Sequence, residues 1–169
     1  MNSEIGEAFL EESRNRVIKA RERIDHCLGQ LENDDLWWTP EAGSNSIGVI
    51  LQHLMGNLRQ WILSGVGGEP DLRDRPREFR VEEKTPGSVL QKQFNNILDQ
   101  VNTTYSRLDP LQLLKRRRIQ GFDESVLSAI YQTMTHLELH AGQIAYITKL
   151  RKGSAYEESW KPATKEQGA

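Results

Sequence analysis

The chain of 169 residues lacks the sequence features that mark disulfide-rich, membrane and secreted proteins. It has a single cysteine, Cys27, so no intrachain disulfide can form, and a reducing compartment suits it. It has no run of about 18 apolar residues that could span a membrane. Its start, M-N-S-E-I-G-E-A-F-L, is acidic and lacks the basic and apolar segments of a signal peptide. We therefore expect a cytoplasmic protein that does not enter the membrane.

The chain also lacks a dominant charge. It has 22 Lys plus Arg and 24 Asp plus Glu, which gives a net charge of -2 and a pI near 6.1. This balance, with no helix-turn-helix signal, argues against nucleic acid as a partner. The exception is the run K-R-R-R at 115–118, which is typical of a solvated loop. The alternative is a patch in which Arg116 and Arg118 bind an anionic substrate or cofactor.

Strand signals are weak, whereas helical periodicity is strong. Apolar residues recur at intervals of three and four in four segments, which cover residues 3–31, 46–63, 86–108 and about 124–152. Capping signals support these bounds: Asn45 or Ser46 before the second segment, Thr85 followed by Pro86 before the third, Asp123 before the fourth and Gly153 after it. The pattern predicts an all-α protein, a four-helix bundle over residues 1–153, followed by a C-terminal tail over 154–169.

The connection from Gly65 to Lys84, between the second and third predicted helices, is long. A tight turn would force these two helices to run antiparallel, whereas a connection of this length allows them to run parallel. Loops of such length in compact domains are usually functional or mobile.

The chain has four histidines, and two of them lie in the stretch T-H-L-E-L-H-A-G-Q at 135–143. A helix advances about 100° per residue, so His136, His140 and Gln143 fall on one stripe beside the core positions of the fourth helix. Glu138 points away from this stripe, so the stretch differs from the H-E-x-x-H motif of metalloproteases.

A third histidine, His53, lies on the apolar stripe of the second predicted helix, and Asn57 lies one turn further on. Gly56 beside it would permit the close approach of another helix. The fourth histidine, His26, lies away from the apolar seam of the first helix and is predicted to be a surface residue.

Three inward histidines carry six ring nitrogens that need partners, which is costly in an apolar core. A metal ion would satisfy one nitrogen of each ring and would keep an open position, as catalytic sites do. Asn57 and Gln143 would then act in catalysis by orienting a ligand or a water. The alternative is that the histidines are hydrogen-bonded core or surface residues, and that Asn57 and Gln143 are polar residues at a packing edge.

Two segments, N-S-I-G-V-I-L-Q-H-L-M-G-N-L at 45–58 and the stretch from Ile119 to Leu150, resemble the DinB/YfiT-like superfamily of metal-dependent four-helix bundle proteins. Within it, the chain is similar to short bacterial proteins of unknown function, over residues from about 10 to 150. The resemblance implies an up-down-down-up helix order and frequent homodimers. It also implies a divalent metal, often nickel or zinc with iron as a further option, on a triad that maps to His53, His136 and His140.

Characterised members of that superfamily include S-transferases that use bacillithiol or mycothiol and a thiol-dependent maleylpyruvate isomerase. The leading hypothesis is therefore a thiol S-transferase for a small-molecule substrate. The metal would lower the pKa of a low-molecular-weight thiol, and the thiolate would attack an epoxide, quinone or alkyl halide. The same site could activate water for hydrolysis. A rival hypothesis is a non-catalytic bundle that binds metal for its structure or that serves to dimerise, and chelation should unfold a bundle that metal holds together.

Overall fold

The computed structural model describes residues 2–81 and 84–159, and in them the chain is mostly helical, as predicted. Its six α-helices are α1 (Asn2–Leu28), α2 (Asn33–Leu36), α3 (Ile47–Leu58), α4 (Arg75–Glu78), α5 (Gly87–Arg107) and α6 (Val126–Lys152). A π-helical segment, Arg59–Val66, continues α3, and 3-10 turns cover Pro110–Gln112 and Gly153–Ala155. Two short strands, β1 (Arg116–Ile119) and β2 (Phe122–Ser125), form one sheet. None of the described helices is long and apolar enough to cross a membrane.

The four long helices share one apolar core. Helix α1 packs on α5 and α6, and α3 packs on the same two helices. The side chains that periodicity placed on the inner stripes are buried, among them Val17, Ile24, Leu51, Leu54, Phe94, Leu98 and Leu137. Each such side chain contributes about 1.5–3 kcal/mol when it leaves water, so burial of this core stabilises the packing of the helices.

The helix ends confirm some of the predicted caps and correct others. Ser46 caps α3, since its Oγ accepts a hydrogen bond from the Val49 amide at 3.3 Å, and Gly153 ends α6 with a φ of 54°. Helix α5 begins one residue later than predicted, at Gly87, because the carbonyl of Pro86 accepts the first helical hydrogen bonds. The predicted cap at Asp123 is wrong: Ser125 caps α6 through the Ser128 amide at 3.0 Å.

The stretch that was predicted as a solvated loop is part of a β-hairpin. Strands β1 and β2 pair antiparallel, with Arg116 opposite Ser125 and Ile119 opposite Phe122. Gln120 and Gly121, with φ values of 53° and 86°, make the two-residue turn, and this backbone matches the twist of the flanking strands. The buried side chain of Ile119 anchors the hairpin. The prediction missed it because strands of four residues, rich in charge, give a weak pattern.

The end of the second predicted helix differs from the prediction as well. The helix does not end at Ser64-Gly65 but continues in π-helical form to Val66. Gly65 serves packing here, since a Cβ at this position would lie 2.5 Å from a methyl carbon of Ile119. The Trp61 indole N–H donates to Gln120 Oε1 at 3.2 Å, so the π-helical segment also binds the turn of the hairpin.

Of the predicted C-terminal tail, residues 160–169 lie outside the described part. The preceding residues lie against the end of α1 and the turn that follows it: the Glu157 amide donates to Gln30 Oε1 at 2.8 Å, and the Glu157 carbonyl is 2.7 Å from Nε2 of His26. His26, which was predicted to be a surface residue, is therefore half-buried by this contact.

Candidate metal centre

The three histidines that the sequence singled out lie together between α3 and α6. Helix α3 supplies His53, and α6 supplies His136 and His140, one turn apart on the same face. Nε2 of His136 lies 3.1 Å from Nε2 of His53 and 3.1 Å from Nε2 of His140. One nitrogen of each ring lies within 4.8 Å of the other two, so the group could hold a metal ion.

The spacing of these nitrogens suits a first-row metal. Imidazole nitrogens bind zinc at about 2.0–2.1 Å, so two nitrogens 3.1 Å apart can both reach one ion at an angle of roughly 100°. That angle lies between the octahedral and the tetrahedral value. The two 3.1 Å separations are therefore compatible with one shared ion.

Hydrogen bonds on the far side of two rings fix which nitrogen carries the proton. Nδ1 of His53 lies 2.9 Å from Oε2 of Glu78, which can only accept, and at the longer distance of 3.4 Å from Nη2 of Arg73; the shorter contact places the proton on His53 Nδ1. Nδ1 of His140 likewise donates to Oε1 of Gln143 at 2.7 Å. Both rings therefore turn a bare Nε2, with its lone pair, towards Nε2 of His136.

His136 cannot satisfy both of its neighbours. It carries at most one proton on Nε2, and one N–H donates well to one acceptor, so at least one pair of lone pairs faces each other at about hydrogen-bond distance. Its other nitrogen, Nδ1, is buried and has no hydrogen-bond partner among the described residues. A cation among the three Nε2 atoms would turn this repulsion into ligation.

The surroundings keep two of the rings in their neutral, ligating form. Burial, together with the smaller effects of His140 and His53 in the same direction, lowers the pKa of His136 to about 4. Burial also lowers the pKa of His140, although the hydrogen bond to Gln143 opposes this effect. Metal ions bind neutral imidazole, so protons compete less at these rings than at ordinary histidines.

Two residues of the long connection reach the site, and the sequence did not single them out. Glu78 ends α4 and is buried against His53, and Arg73 binds both of its oxygens, at 2.6 Å through Nε and at 2.9 Å through Nη2. Arg73 also donates to Gln60 Oε1 at 2.9 Å. Gly56 permits the close approach of α4, because a Cβ there would lie 1.9 Å from Oε1 of Glu78, the last residue of that helix.

An aromatic ring and a cation cover the outer side of His53. The Phe79 ring lies 5.2 Å from the His53 ring between centroids, and the Arg75 guanidinium stacks over Phe79 at 5.3 Å. Arg75 is exposed and has no ion pair among the described residues. This edge of the site therefore presents an apolar floor and a positive charge to solvent.

The other predicted site residues lie at different distances from the triad. Gln143 contacts His140, whereas Asn57 is half-buried and its Oδ1 has no hydrogen-bond partner among the described residues. Arg116 and Arg118 lie on β1, and Arg116 is paired with Asp123 at 2.9 Å. The hairpin meets α6 at its first residue, about 15 Å of helix before His136, so the structure does not bring these arginines to the histidines.

Two larger cavities lie away from the histidines. One, of about 490 Å³, is lined by polar residues that include Glu69, Asp99 and Arg107. Another, of about 480 Å³, lies between α1 and α6 and is lined by apolar groups of Phe9, Tyr131 and Met134. The histidine triad instead lies at an edge between two helices, with His136 and His140 partly open to solvent.

The sequence model of one protein family matches residues 4–164. The chain belongs to the family DUF1572. The description of that family is a protein of unknown function, so membership assigns no activity. No curated protein matches the chain. The matched range contains the three histidines together with Glu78 and Arg73, so the whole site lies within the DUF1572 domain.

Proposed function

We propose that this DUF1572 protein is a metal-dependent enzyme that transfers a low-molecular-weight thiol, of the bacillithiol or mycothiol type, to an electrophilic small molecule. His53, His136 and His140 would hold the ion, with nickel or zinc first and iron next. The helix order would be up-down-down-up, and the protein would be a homodimer, as in the DinB/YfiT-like proteins that it resembles.

The observation that carries the proposal is the convergence of three Nε2 atoms, two of them bare. A bundle that needed polar residues only for packing would pair these nitrogens with donors. Here the Nδ1–H groups of His53 and His140 donate outwards, to Glu78 and Gln143. The Nε2 lone pairs of the same two rings both face Nε2 of His136. This arrangement is favourable when a cation lies there.

The open side of the triad supports a catalytic role over a structural one. Structural zinc sites are closed by four protein ligands, whereas catalytic sites keep a position for a ligand from outside. Three histidines form the group here, and two of them are partly exposed. A divalent metal in such a site lowers the pKa of a bound thiol, which makes a thiolate near neutral pH.

The residues of the chain would orient the reactants. Gln143 would hold His140 through its Nδ1, and Asn57, whose Oδ1 has no hydrogen-bond partner in the described part, would orient a ligand or a water. For a carboxylate on the thiol, we propose Arg75, whose guanidinium lies over Phe79 beside His53; Arg116 and Arg118, the arginines that the sequence indicated, lie on β1 away from the triad.

The first experiment is metal content by elemental mass spectrometry, on protein purified without a histidine tag or chelating column. We expect about one nickel, zinc or iron per chain, lost in His53→Ala and in His136→Ala. His26→Ala is the matched control, because His26 contacts the C-terminal segment and not the triad, and it should keep the metal. Wild-type protein that holds no metal, and takes up none when zinc or nickel is added, would refute the proposal.

The second experiment separates the chemistries. The metal-loaded protein is given epoxide, quinone and alkyl halide substrates with and without a low-molecular-weight thiol. Product that forms with the thiol and carries its sulfur supports the transferase. Turnover that is unchanged without thiol would show hydrolysis, and unfolding on chelation would show a structural metal.

A further inference from the structure

We propose that Glu78 is a positioning residue: through one hydrogen bond it holds His53 as the Nδ1–H tautomer, and so directs the bare Nε2 of this ring at the other two histidines. The inference rests on the proposed metal site but not on any particular reaction. It assigns a specific role to the connection between α3 and α5, whose length alone indicated a functional or mobile segment.

The contacts of Glu78 make its carboxylate a hydrogen-bond acceptor for His53. Its Oε1 accepts from Arg73 Nε at 2.6 Å, and its Oε2 accepts from Arg73 Nη2 and from His53 Nδ1, both at 2.9 Å. The exposed fractions of the three side chains are 3% for Arg73, 8% for Glu78 and 11% for His53. Nη2 of Arg73 also lies 3.4 Å from His53 Nδ1, but the carboxylate oxygen is nearer, at 2.9 Å, and can only accept, so the ring supplies the proton of this contact.

The carboxylate is held from both sides. Arg73 binds it in a fork, and Arg73 itself is tied to Gln60 on the π-helical segment, whose amide donates to Asp71 at 2.9 Å. On the other side, Gly56 lets the carboxylate lie against α3. A side chain that only closed the link over the bundle would need no such fixed orientation, whereas a tautomer-setting acceptor does.

Orientation of one ring decides the geometry of the triad. Without an acceptor at Nδ1, His53 can carry its proton on Nε2. That N–H would then point at His136, and Nε2 would have no lone pair left to bind a metal ion. Removal of the acceptor should therefore weaken metal binding by about 10–100-fold, the usual loss when the partner of a ligating histidine is removed.

The test measures the tautomer and the metal separately. Nitrogen-15 NMR of the imidazoles reports the tautomer of His53 in metal-free protein, and competition with a chromophoric chelator gives the zinc affinity. The variants are Glu78→Ala, which has no acceptor, and Glu78→Gln, which keeps an amide oxygen. Glu138→Ala is the matched control, because this glutamate binds Arg23 at 2.7 Å beside the site but contacts no histidine.

We expect the Nδ1–H tautomer at His53 in the wild type, in Glu78→Gln and in Glu138→Ala, and a shift towards Nε2–H in Glu78→Ala. Zinc affinity should fall 10–100-fold in Glu78→Ala, with partial rescue in Glu78→Gln and no change in Glu138→Ala. An Nε2–H tautomer in the wild type, or an unchanged tautomer and affinity in Glu78→Ala, would overturn the inference.

Two further results have a defined meaning. If Glu78→Ala does not fold because Arg73 is left buried without a partner, the double variant Arg73→Leu/Glu78→Leu removes both charges together and carries the same expectation. If the wild type binds no zinc, the proposed function fails, and the tautomers of the metal-free proteins decide the inference by themselves.

Discussion

Replacing Gly56 by alanine separates two physical effects of opposite sign. Gly56 lies inside α3, where helix propensity alone favours alanine over glycine by about 1 kcal/mol. In this structure, however, the new Cβ would lie 1.9 Å from Oε1 and 2.7 Å from Cδ of Glu78. These atoms belong to a flexible side chain, so the cost is not backbone strain but the loss of the contacts that hold the carboxylate.

The magnitude follows from those contacts. To reach an ordinary van der Waals distance, the carboxylate must move by roughly 1.5 Å, and this breaks the pairing with Arg73 and the hydrogen bond to His53. Hydrogen bonds to charged groups contribute about 1.5–3 kcal/mol each, so the loss of two of these three bonds, about 3–6 kcal/mol, outweighs the gain in propensity. We expect Gly56→Ala to destabilise the protein by about 2–5 kcal/mol, which lowers Tm by about 4–20 °C in a chain of this size.

Urea and thermal unfolding of Gly56→Ala, with Gly142→Ala as the control, measure this effect. Gly142 also lies inside a long helix next to a histidine of the triad, but a Cβ there would meet nothing within 4 Å. The control should therefore be stabilised by about 0.5–1 kcal/mol. If both variants gain stability to a similar extent, the Glu78 carboxylate does not pack against Gly56 of α3, and the proposed orientation of His53 by Glu78 is wrong.

Four further predictions concern pH, metal removal, capping and the outer edge of the site. The pKa of His136 is about 4 in the folded chain against an ordinary value of 6.5, so between these pH values the unfolded chain binds more protons than the folded chain. The free energy of unfolding of the metal-free protein, measured across pH 4–7, should therefore fall by about 1–3 kcal/mol towards pH 4. The lower figure allows for solvent screening of a half-buried ring. Chelation at pH 7 should leave the circular dichroism of the helices unchanged, because the apolar core does not depend on the site; a collapse of the signal would favour a structural metal. Ser125→Ala should cost about 1 kcal/mol in urea unfolding, whereas Asp123→Ala should cost little, since it loses an exposed ion pair; the reverse order would contradict the observed start of α6. Arg75→Gln should raise KM for a thiol that bears carboxylates and leave KM for a neutral thiol unchanged, because its guanidinium lies over Phe79 at the rim; equal effects on both thiols would contradict an anion contact there.

The sequence was sufficient for the features that depend on local pattern. Apolar spacing of three and four predicted the long helices and the side chains that they bury, because helical geometry places such residues on one face. The same geometry brought His136 and His140 together, one turn apart. His53 was found because a polar residue on an apolar stripe is itself a signal.

The features that were missed depend on contacts between distant parts of the chain. Glu78 follows His53 by 25 residues, and neither spacing nor composition of the connection indicates that its carboxylate turns inward. A sequence signal existed in Gly56, which permits a close approach, but it did not say what approaches. The hairpin formed by β1 and β2 was missed because its strands are short and rich in charge, and because its anchor is a distant contact, the packing of Ile119 on Gly65.

The charges around the triad indicate which ligands it would accept. The three imidazoles contribute no charge when neutral, and the charge of Glu78 is matched by Arg73. Among the described residues, no other carboxylate forms a hydrogen bond or ion pair with His53, His136 or His140. A divalent ion held by this set would keep its full positive charge, and that charge must be balanced by an anion from outside. A thiolate is such an anion, and further carboxylates on it would meet the exposed guanidinium of Arg75. A divalent ion on this neutral ligand set would therefore favour an anionic ligand.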